Sequence, residues 1–299
     1  MRIVRYSRDG IESYGILSGS GRVTDLPQLA DLKRRTVPHS LEGLISLGSS
    51  GEGFVESLIG ELSGLSASQR RKITIKESSV VLRAPIVSPS KIVCLGLNYR
   101  DHAEEGGVAV PDEPLIFLKP RTAIIGPGEP IVKPCFVKEL DYEVELAILI
   151  SKRGRDIPVS QAKDFIFGYA VFNDVSARDI QFKDKQWTRG KSFDTFAPIG
   201  PCIATAKQIG DPNNLGMRTW VNGELRQSSS TKRMVFNVYE VVYHLSRVMT
   251  LEPCDIIATG TPAGVAAFMK PERKFLEPGN IVEVEIDGIG TLRNPVVQQ

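Results

Sequence analysis

The hydrophobic and polar positions of the first 85 residues predict a small α/β unit. Short apolar segments predict strands at Ile3–Tyr6, Tyr14–Leu17 and Arg22–Leu26. Apolar side chains then recur at helical spacing, which predicts an amphipathic helix over residues 52–64. The segment from Arg83 to Ser90 contains two prolines among small polar residues, which is typical of an extended connector. We therefore expect a small N-terminal domain at 1–85 and a larger domain at 86–299.

Strand patterns dominate the larger domain. The predicted strands are Ile92–Leu95, Leu115–Leu118, Tyr142–Ile150, Phe167–Phe172, Asp255–Thr259 and Ile281–Ile286. Asn222-Gly223 predicts a type I′ hairpin, because both central residues of that turn need positive φ. One helix is evident, since Asn237 and Glu240 have the spacing of a capping box and an apolar stripe follows through Met249. Strands and helices do not alternate regularly, so the pattern predicts a mostly β, α+β fold.

The composition is that of an ordinary globular protein, with 299 residues of which 41% are hydrophobic and 24% charged. This excludes disorder and a disulfide scaffold, and a net charge of +2 provides no basic field for nucleic acid. The apolar runs are too short to cross a bilayer, and the N-terminus lacks the pattern of a signal peptide. We expect a cytoplasmic protein that binds a small molecule, with no nucleic-acid or membrane partner.

The cysteines have no spacing that is typical of a metal site or a disulfide framework. They are Cys94, Cys135, Cys202 and Cys254. Widely separated cysteines of this kind are typical of buried free thiols in a reducing compartment.

The most informative segment is a predicted strand that carries two acids. Glu143 and Glu145 lie two residues apart, so on a strand they point to the same face. The run continues to Ile150 with apolar residues, which is typical of a strand buried on both faces. Two buried carboxylates require a counter-charge. The pattern therefore indicates either a metal ion or a structural cluster with lysine or arginine.

A second Glu-Val-Glu segment provides an internal comparison. Glu283 and Glu285 alternate with apolar residues between two turn signals, which predicts a half-exposed strand whose acids face solvent. For a metal at the first pair, the best third carboxylate is Asp174, which follows the apolar strand ending at Phe172. Three carboxylates without cysteine or an obligatory histidine favour Mg²⁺ or Mn²⁺ over zinc.

One of the three histidines is a candidate for catalysis. His39 and His244 have no acidic neighbours that suggest chemistry, and we expect structural placements for both. His102 lies three residues before Glu105. If this segment is helical, the two side chains are neighbours and Glu105 could orient the imidazole and raise its basicity.

Six blocks of sequence, in the same order, resemble the motifs of the fumarylacetoacetate hydrolase family. They are Leu97–His102, Phe117–Pro120, Leu140–Leu146, Asn173–Asp179, Gly190–Thr195 and Thr259–Val265. The N-terminal residues resemble the small variable domain that many bacterial members carry. The resemblance implies a mixed β-sandwich roll, usually a homodimer, with a divalent metal held by Glu143, Glu145 and Asp174.

The same resemblance implies roles for residues that spacing alone does not single out. His102 and Glu105 match a lid pair that acts on water, and Lys191 matches a lysine that faces the substrate near the metal. The implied substrate-binding positions are Arg178, Gln181 and Thr261.

These residues lead to a functional hypothesis in which the substrate is a 2,4-dioxo acid. Candidates are an acylpyruvate, such as fumarylpyruvate or acetylpyruvate, and a sugar-derived diketo acid. His102 would activate a water that cleaves the C–C bond, with the metal as Lewis acid, and the products would be pyruvate and a carboxylate. Lys191 and Gln181 would stabilise the negative charge that develops on the substrate.

Two alternatives remain open. The same metal site could decarboxylate oxaloacetate, or decarboxylate and isomerise a hydroxylated dienoic diacid, because these reactions pass through the same kind of enolate. The chain could also be a non-catalytic scaffold, since a fold alone does not establish function. The presence of all expected ligand and lid residues argues against the scaffold.

Overall fold

The computed structural model describes residues 1–299. Its strands are β1 Arg2–Arg8, β2 Ile11–Leu17, β3 Arg22–Asp25, β4 Thr74–Lys76, β5 Val81–Arg83, β6 Ile92–Gly96, β7 Leu115–Lys119, β8 Ile124–Ile125, β9 Ile131–Lys133, β10 Leu140–Asp141, β11 Val144–Ile150, β12 Ile166–Asn173, β13 Ser176–Ala177, β14 Ala197–Thr205, β15 Gly216–Val221, β16 Glu224–Ser230, β17 Ile256–Ala258, β18 Ile281–Ile286 and β19 Gly290–Gln298. Its helices are α1 Leu26–Leu32, α2 Leu41–Ile45, α3 Ser49–Gly60, α4 Ala67–Ile73, α5 Arg100–Gly106, α6 Arg178–Gln181, α7 Thr188–Lys191, α8 Ala206–Ile209 and α9 Val238–Val248. The predicted mostly β, α+β class is confirmed.

Two sheets of unequal size organise the chain. A 12-stranded sheet has the order β4-β3-β2-β1-β14-β12-β11-β17-β6-β7, with β5 beside β1 and β8 beside β14. A 5-stranded sheet has the order β16-β15-β18-β19-β9, and β10 pairs with β13 alone. The strand β11 therefore lies inside the large sheet, between β12 and β17.

Both faces of the large sheet are covered. Leu146 and Ile148 of β11 share one hydrophobic cluster with residues of the small sheet and of α9. Ala147 and Leu149 share the other cluster with residues of the N-terminal helices. Successive residues of a strand point to opposite faces, so each residue of β11 enters one of two cores. This explains why the strand is apolar on both faces, as its sequence predicts.

The N-terminal strands belong to the same large sheet as β11. Strand β1 pairs antiparallel with β14, and β5 pairs with β1. The predicted boundary between residues 85 and 86 follows the end of β5 by two residues. The division into two domains stays a prediction.

Some element boundaries differ from the sequence prediction for local reasons. The predicted helix over 52–64 is α3, which begins at Ser49 and ends at Gly60, and a 3₁₀ turn follows. Strand β3 ends at Asp25 because that side chain accepts a hydrogen bond from the Gln28 N–H and caps α1. Tyr142 and Glu143 precede β11 instead of belonging to it.

The sequence pattern also missed a central strand and several short helices. Strand β14 contains Pro198, Gly200 and Pro201, residues that are rare inside strands, and its pairing with β12 shifts register within this region. Helices α5 to α8 have seven residues or fewer. Such short helices do not show a helical periodicity in the sequence.

The predicted free thiols are confirmed, with one correction. All the cysteines are free, and Cys94, Cys202 and Cys254 are buried, but Cys135 is exposed in the segment after β9. No helix combines the length and the apolar character that crossing a membrane requires.

Two local motifs agree with their sequence signals. Asn222 and Gly223 have φ values of 51° and 80°, as a type I′ hairpin requires. At the start of α9, Asn237 Oδ1 accepts hydrogen bonds from the N–H groups of Tyr239 and Glu240 at 2.9 and 3.2 Å. The Glu240 side chain accepts from the Asn237 N–H at 2.8 Å, which completes the capping box.

Replacing Asn237 with alanine is expected to lower the free energy of unfolding by about 1 kcal/mol, because two N–H groups lose their cap. Urea unfolding of the variant measures this loss. Asn214→Ala is the matched control, since Asn214 is exposed two residues before β15. Equal stability of the two variants would contradict the role given to the capping box.

Candidate active site and metal centre

One cavity of about 190 Å³ gathers most of the residues that the sequence singles out. The predicted residues that line it are His102, Glu143, Arg178, Gln181, Lys191 and Thr261. Its apolar wall includes Leu95, Leu97, Val108, Phe117, Phe182, Trp187 and Phe268. Of the remaining candidates, Glu145 and Asp174 are fully buried beside Glu143, and Glu105 lies behind His102.

The three acids meet because two antiparallel strands bring their ends together. Val144, the first residue of β11, is the register partner of Asn173, the last residue of β12. Glu143 and Asp174 therefore lie side by side, and the Asp174 N–H donates to the Glu143 carbonyl at 2.9 Å. One carboxylate oxygen from each of Glu143, Glu145 and Asp174 lies within 4.8 Å of the others.

Two of these carboxylates form buried ion pairs. Lys191 Nζ donates to Glu143 Oε2 and to Asp174 Oδ2, both at 2.7 Å. Arg178 Nη2 donates to the other oxygen of Glu143 at 2.5 Å, and Lys119 pairs with the other oxygen of Asp174. Burial opposes ionisation of Glu143, but the charges of Lys191 and Arg178 outweigh it and lower the pKa of Glu143 to about 2.

Glu145 differs from its neighbours because no cation contacts it. Its Oε2 accepts a hydrogen bond from the Gly260 N–H at 2.8 Å, whereas its Oε1 is buried without any partner. Burial, followed by the negative charges of Asp174 and Glu143, raises the pKa of Glu145 well above its usual range. The site thus contains one carboxylate that needs a further positive group.

The donor set fits a hard divalent cation. Four buried carboxylates, including Asp141, face three buried cations, so an ionised Glu145 would be left without a positive partner. Carboxylate oxygens are the ligands that Mg²⁺ and Mn²⁺ prefer. A cation held by Glu143, Glu145 and Asp174 would give the orphaned Glu145 oxygen the partner that the protein does not supply. The sequence left open whether the counter-charge is a metal ion or basic side chains. Basic side chains are present, and the unpartnered Glu145 oxygen fits a metal ion as well.

His102 and Glu105 are neighbours on helix α5, as the sequence predicts for a helical segment. The His102 Nδ1 lies 3.6 Å from Glu105 Oε2, which is too long for a hydrogen bond. Both oxygens of Glu105 instead accept from the Gly264 N–H at 3.1 Å. The imidazole packs against the Phe268 ring at 5.6 Å. Because Nδ1 faces Glu105, Nε2 is the nitrogen that is available to the cavity.

Arg178 connects the carboxylate cluster to the substrate-binding positions. Its Nε donates to Asp141 Oδ2 at 2.8 Å, and its Nη1 donates to Gln181 Oε1 at 2.9 Å. Helix α6 begins at Arg178 and ends at Gln181, so the two side chains share one helical turn. The Gln181 amide is thereby held at the cavity wall.

Three buried residues of the site were missed by the sequence analysis. Asp141 binds Arg178 and also accepts from the N–H groups of Ala266 and Ala267 at 2.9 and 3.1 Å. Lys119 neutralises Asp174. Both belong to motif blocks quoted above, and an accounting of buried charge would have identified them. Gln227 lies outside every block, and no signal in the sequence marks it.

The second Glu-Val-Glu segment and the other two histidines lie outside the site, as the sequence predicts. Glu283 and Glu285 are half-buried on β18, where Arg293 lies 3.6 Å from Glu283 and Arg218 lies 3.0 Å from Glu285. His39 is exposed, and His244 packs edge-on against Phe236. None of these side chains lines the cavity.

Comparison with known proteins agrees with this geometry. The family model for the fumarylacetoacetate (FAA) hydrolase C-terminal domain matches residues 91–297. A mitochondrial oxaloacetate tautomerase of Xenopus laevis is 48% identical over 225 residues, which are 75% of this chain and 70% of that protein.

Solved structures resemble the chain over its whole length. A fumarylacetoacetate hydrolase from Exiguobacterium antarcticum is 37% identical, with a TM-score of 0.82 and 100% of both chains covered. A maleylpyruvate hydrolase from Sphingobium sp. SYK-6, solved with manganese(II) and pyruvate, is 32% identical, with a TM-score of 0.78 and 100% and 99% of the two chains covered. The fold implied by the resemblance is confirmed.

Mn²⁺ is expected to raise the melting temperature by roughly 5 °C at 100 times its Kd, because it binds the folded state only. Glu143→Gln and Glu145→Gln should each abolish this shift in a thermal scan. Glu285→Gln is the matched control, since the same Glu-Val-Glu segment at 283–285 faces solvent, and it should keep the shift. A shift that survives Glu145→Gln would contradict the assignment of this ligand.

In EDTA, Glu143→Gln and Glu145→Gln should change stability in opposite directions. Glu143→Gln leaves Lys191 and Arg178 short of a partner and should cost roughly 3–5 kcal/mol. Glu145→Gln removes a carboxyl whose raised pKa destabilises the folded state, so it should stabilise the metal-free protein. A raised pKa costs stability only above the ordinary pKa of the group, so this gain should be larger at pH 7 than at pH 4. Urea unfolding at both pH values measures it, and destabilisation by both variants would contradict the charge balance.

Proposed function

The chain belongs to the fumarylacetoacetate hydrolase family, and we propose that it is an enzyme that moves a proton on a small 2-oxo acid. The reaction we favour is keto–enol interconversion of oxaloacetate. Named relatives include hydrolases, isomerases and oxaloacetate tautomerases. All of these activities fit a site that stabilises an enol or enolate.

The observation that carries the proposal is a lone imidazole beside the carboxylate cluster. His102 is 8% exposed and lines the same cavity as Glu143 and Lys191, and its Nδ1 has no hydrogen-bond partner. An imidazole is suited to accept a proton at one ring nitrogen and return it. Tautomerisation needs one such group, since the proton moves only between C3 and the 2-oxo oxygen.

Other side chains of the cavity have donors left for the substrate. Lys191 has three N–H groups and uses two of them on Glu143 and Asp174. Its third donor and the Thr261 hydroxyl can bind the substrate carboxylate. A divalent cation bound to the three acids would polarise the 2-oxo group and acidify the neighbouring C–H. The cavity of about 190 Å³ has room for roughly six waters, which suits a small acid.

C–C hydrolysis of an acylpyruvate is the second candidate, and a specific observation supports it. Glu105 lies next to His102 with the spacing of an acid that orients a base for water activation. In the structure, however, Glu105 gives both oxygens to the Gly264 N–H, so the dyad is not assembled. Proton transfer by His102 alone does not require that dyad, which is why we rank tautomerisation first.

The enzyme with Mg²⁺ is expected to accelerate the decay of enol oxaloacetate. The loss of enol absorbance measures this rate. His102→Gln should lower the catalysed rate by roughly 100-fold to 10 000-fold, because it removes the acid–base group, and should keep the Mn²⁺-dependent thermal shift. His39→Gln is the control, since His39 is exposed and away from the cavity.

Product analysis by NMR separates the competing reactions. Acetate and pyruvate from acetylpyruvate, without faster enol decay, would favour hydrolysis. Stoichiometric pyruvate and CO₂ from oxaloacetate would favour decarboxylation. Full activity of His102→Gln on oxaloacetate would contradict the role given to the imidazole.

A further inference from the structure

Strand β17 separates from β11 next to the carboxylate cluster. The two strands pair at residues 147–149 of β11, and the Thr259 N–H still donates to the Leu146 carbonyl at 3.0 Å. The chain then turns at Gly260, whose φ is +93°. Beyond this point β11 has no neighbouring strand on that side. The Val144 N–H, between the two glutamates, therefore needs another acceptor, because it is buried.

Gln227 fills the gap that the departing strand leaves. This side chain comes from β16 of the small sheet and is fully buried. Its Oε1 accepts from the Val144 N–H at 3.0 Å and from the Thr219 hydroxyl at 2.8 Å. Its Nε2 donates to Thr261 Oγ1 and to the Pro262 carbonyl, both at 2.9 Å. These four bonds use both lone pairs and both donors of the amide, so its position and its orientation are fixed.

The orientation of this amide determines what Thr261 can do. Nε2 can only donate, so the Thr261 oxygen accepts and its own hydrogen stays free. Thr261 lines the cavity and is 4% exposed, and its hydroxyl donates to no acceptor within the protein. The free hydrogen is therefore available to an anion in the cavity.

We infer that Gln227 is a positioning residue for substrate binding. It acts as a spacer of fixed width between the Glu143–Glu145 segment and the Thr261 turn, and it keeps the Thr261 hydroxyl as a donor towards the cavity. The inference rests on the proposed function, in which a 2-oxo acid carboxylate binds beside the acid cluster. The carboxylates themselves are held by other bonds, from Lys191, Arg178 and Gly260. Loss of Gln227 should therefore weaken substrate binding more than metal binding.

The test uses oxalate as a probe, because it presents two adjacent oxygen-bearing carbons like the head of a 2-oxo acid. Calorimetry gives the Kd of Mn²⁺ and then the Kd of oxalate for the Mn²⁺-loaded protein. Gln227→Met keeps the length and removes all four bonds. Gln227→Glu keeps the shape, but its ionised carboxylate would accept the Thr261 hydrogen. For both variants the oxalate Kd should rise roughly tenfold or more, and for the uncharged Gln227→Met the Mn²⁺ Kd should change by less than about threefold.

Two further variants distinguish positioning from general support of the fold. Thr219→Val removes one of the four bonds and keeps both amide donors of Gln227 in place, so it should raise the oxalate Kd by much less than Gln227→Met and leave the Mn²⁺ Kd unchanged. Thr261→Val should raise the oxalate Kd as Gln227→Met does, and the double variant should be no worse than either single one, because both act through one hydroxyl.

Each outcome has a distinct meaning. Equal rises in the Kd of Mn²⁺ and of oxalate, an unchanged oxalate Kd, or additive effects with Thr261→Val would overturn the role of Gln227. A wild-type protein that binds Mn²⁺ but not oxalate would instead contradict the proposed function. If Gln227→Met does not fold, the oxalate Kd values of Gln227→Glu, of Thr261→Val and of their double variant test the same role.

Discussion

The need to balance buried charge is the constraint on which the site depends. Ionised carboxylates cost several kcal/mol each when they leave water without compensation. Glu143 and Asp174 are compensated by Lys191, Arg178 and Lys119, whereas Glu145 has only a backbone N–H. Within the site, Asp141, Glu143 and Asp174 thus lie in ion pairs and Glu145 does not. A divalent cation bound at the cluster would give Glu145 the positive partner that it lacks.

The sheets make this burial achievable. Strand β11 is covered on both faces, so acids at its start are far from bulk water, and β12 delivers Asp174 next to them through ordinary antiparallel pairing. The chain leaves the sheet at the end of β17, and Thr261 after this turn lines the cavity. An opening in a sheet exposes unpaired backbone groups, and the side chain of Gln227 satisfies the Val144 N–H there. The carboxylate cluster and the Thr261 side of the cavity therefore meet where β17 leaves the sheet.

Hydrophobic periodicity and turn signals correctly predicted the hairpin at Asn222, helix α9 and the burial of β11 on both faces. They also distinguished two identical Glu-Val-Glu segments, because the apolar run after Glu145 differs from the alternation around Glu285. They failed at β14, whose prolines and glycine oppose strand propensity and are tolerated only in the context of the whole sheet. Lys119 contacts Asp174, which lies 55 residues away in the chain, and Gln227 contacts Val144, which lies 83 residues away. Local sequence patterns do not contain such contacts.

Relatives of this chain include hydrolases, isomerases and tautomerases, and under the proposed function the surroundings of His102 are where these reactions would differ. A base that takes a proton from carbon needs one imidazole near the substrate, and His102 satisfies this alone. A base that activates water benefits from a hydrogen-bonded acid, and Glu105 Oε2 lies 3.6 Å from His102 Nδ1 while both Glu105 oxygens share the Gly264 N–H. Because one oxygen is enough to accept from Gly264, a small movement of the Glu105 carboxylate would bring the other oxygen within hydrogen-bond distance of the imidazole. Under the proposed function, the contact between Glu105 and His102 is therefore the feature that separates water activation from proton transfer on carbon.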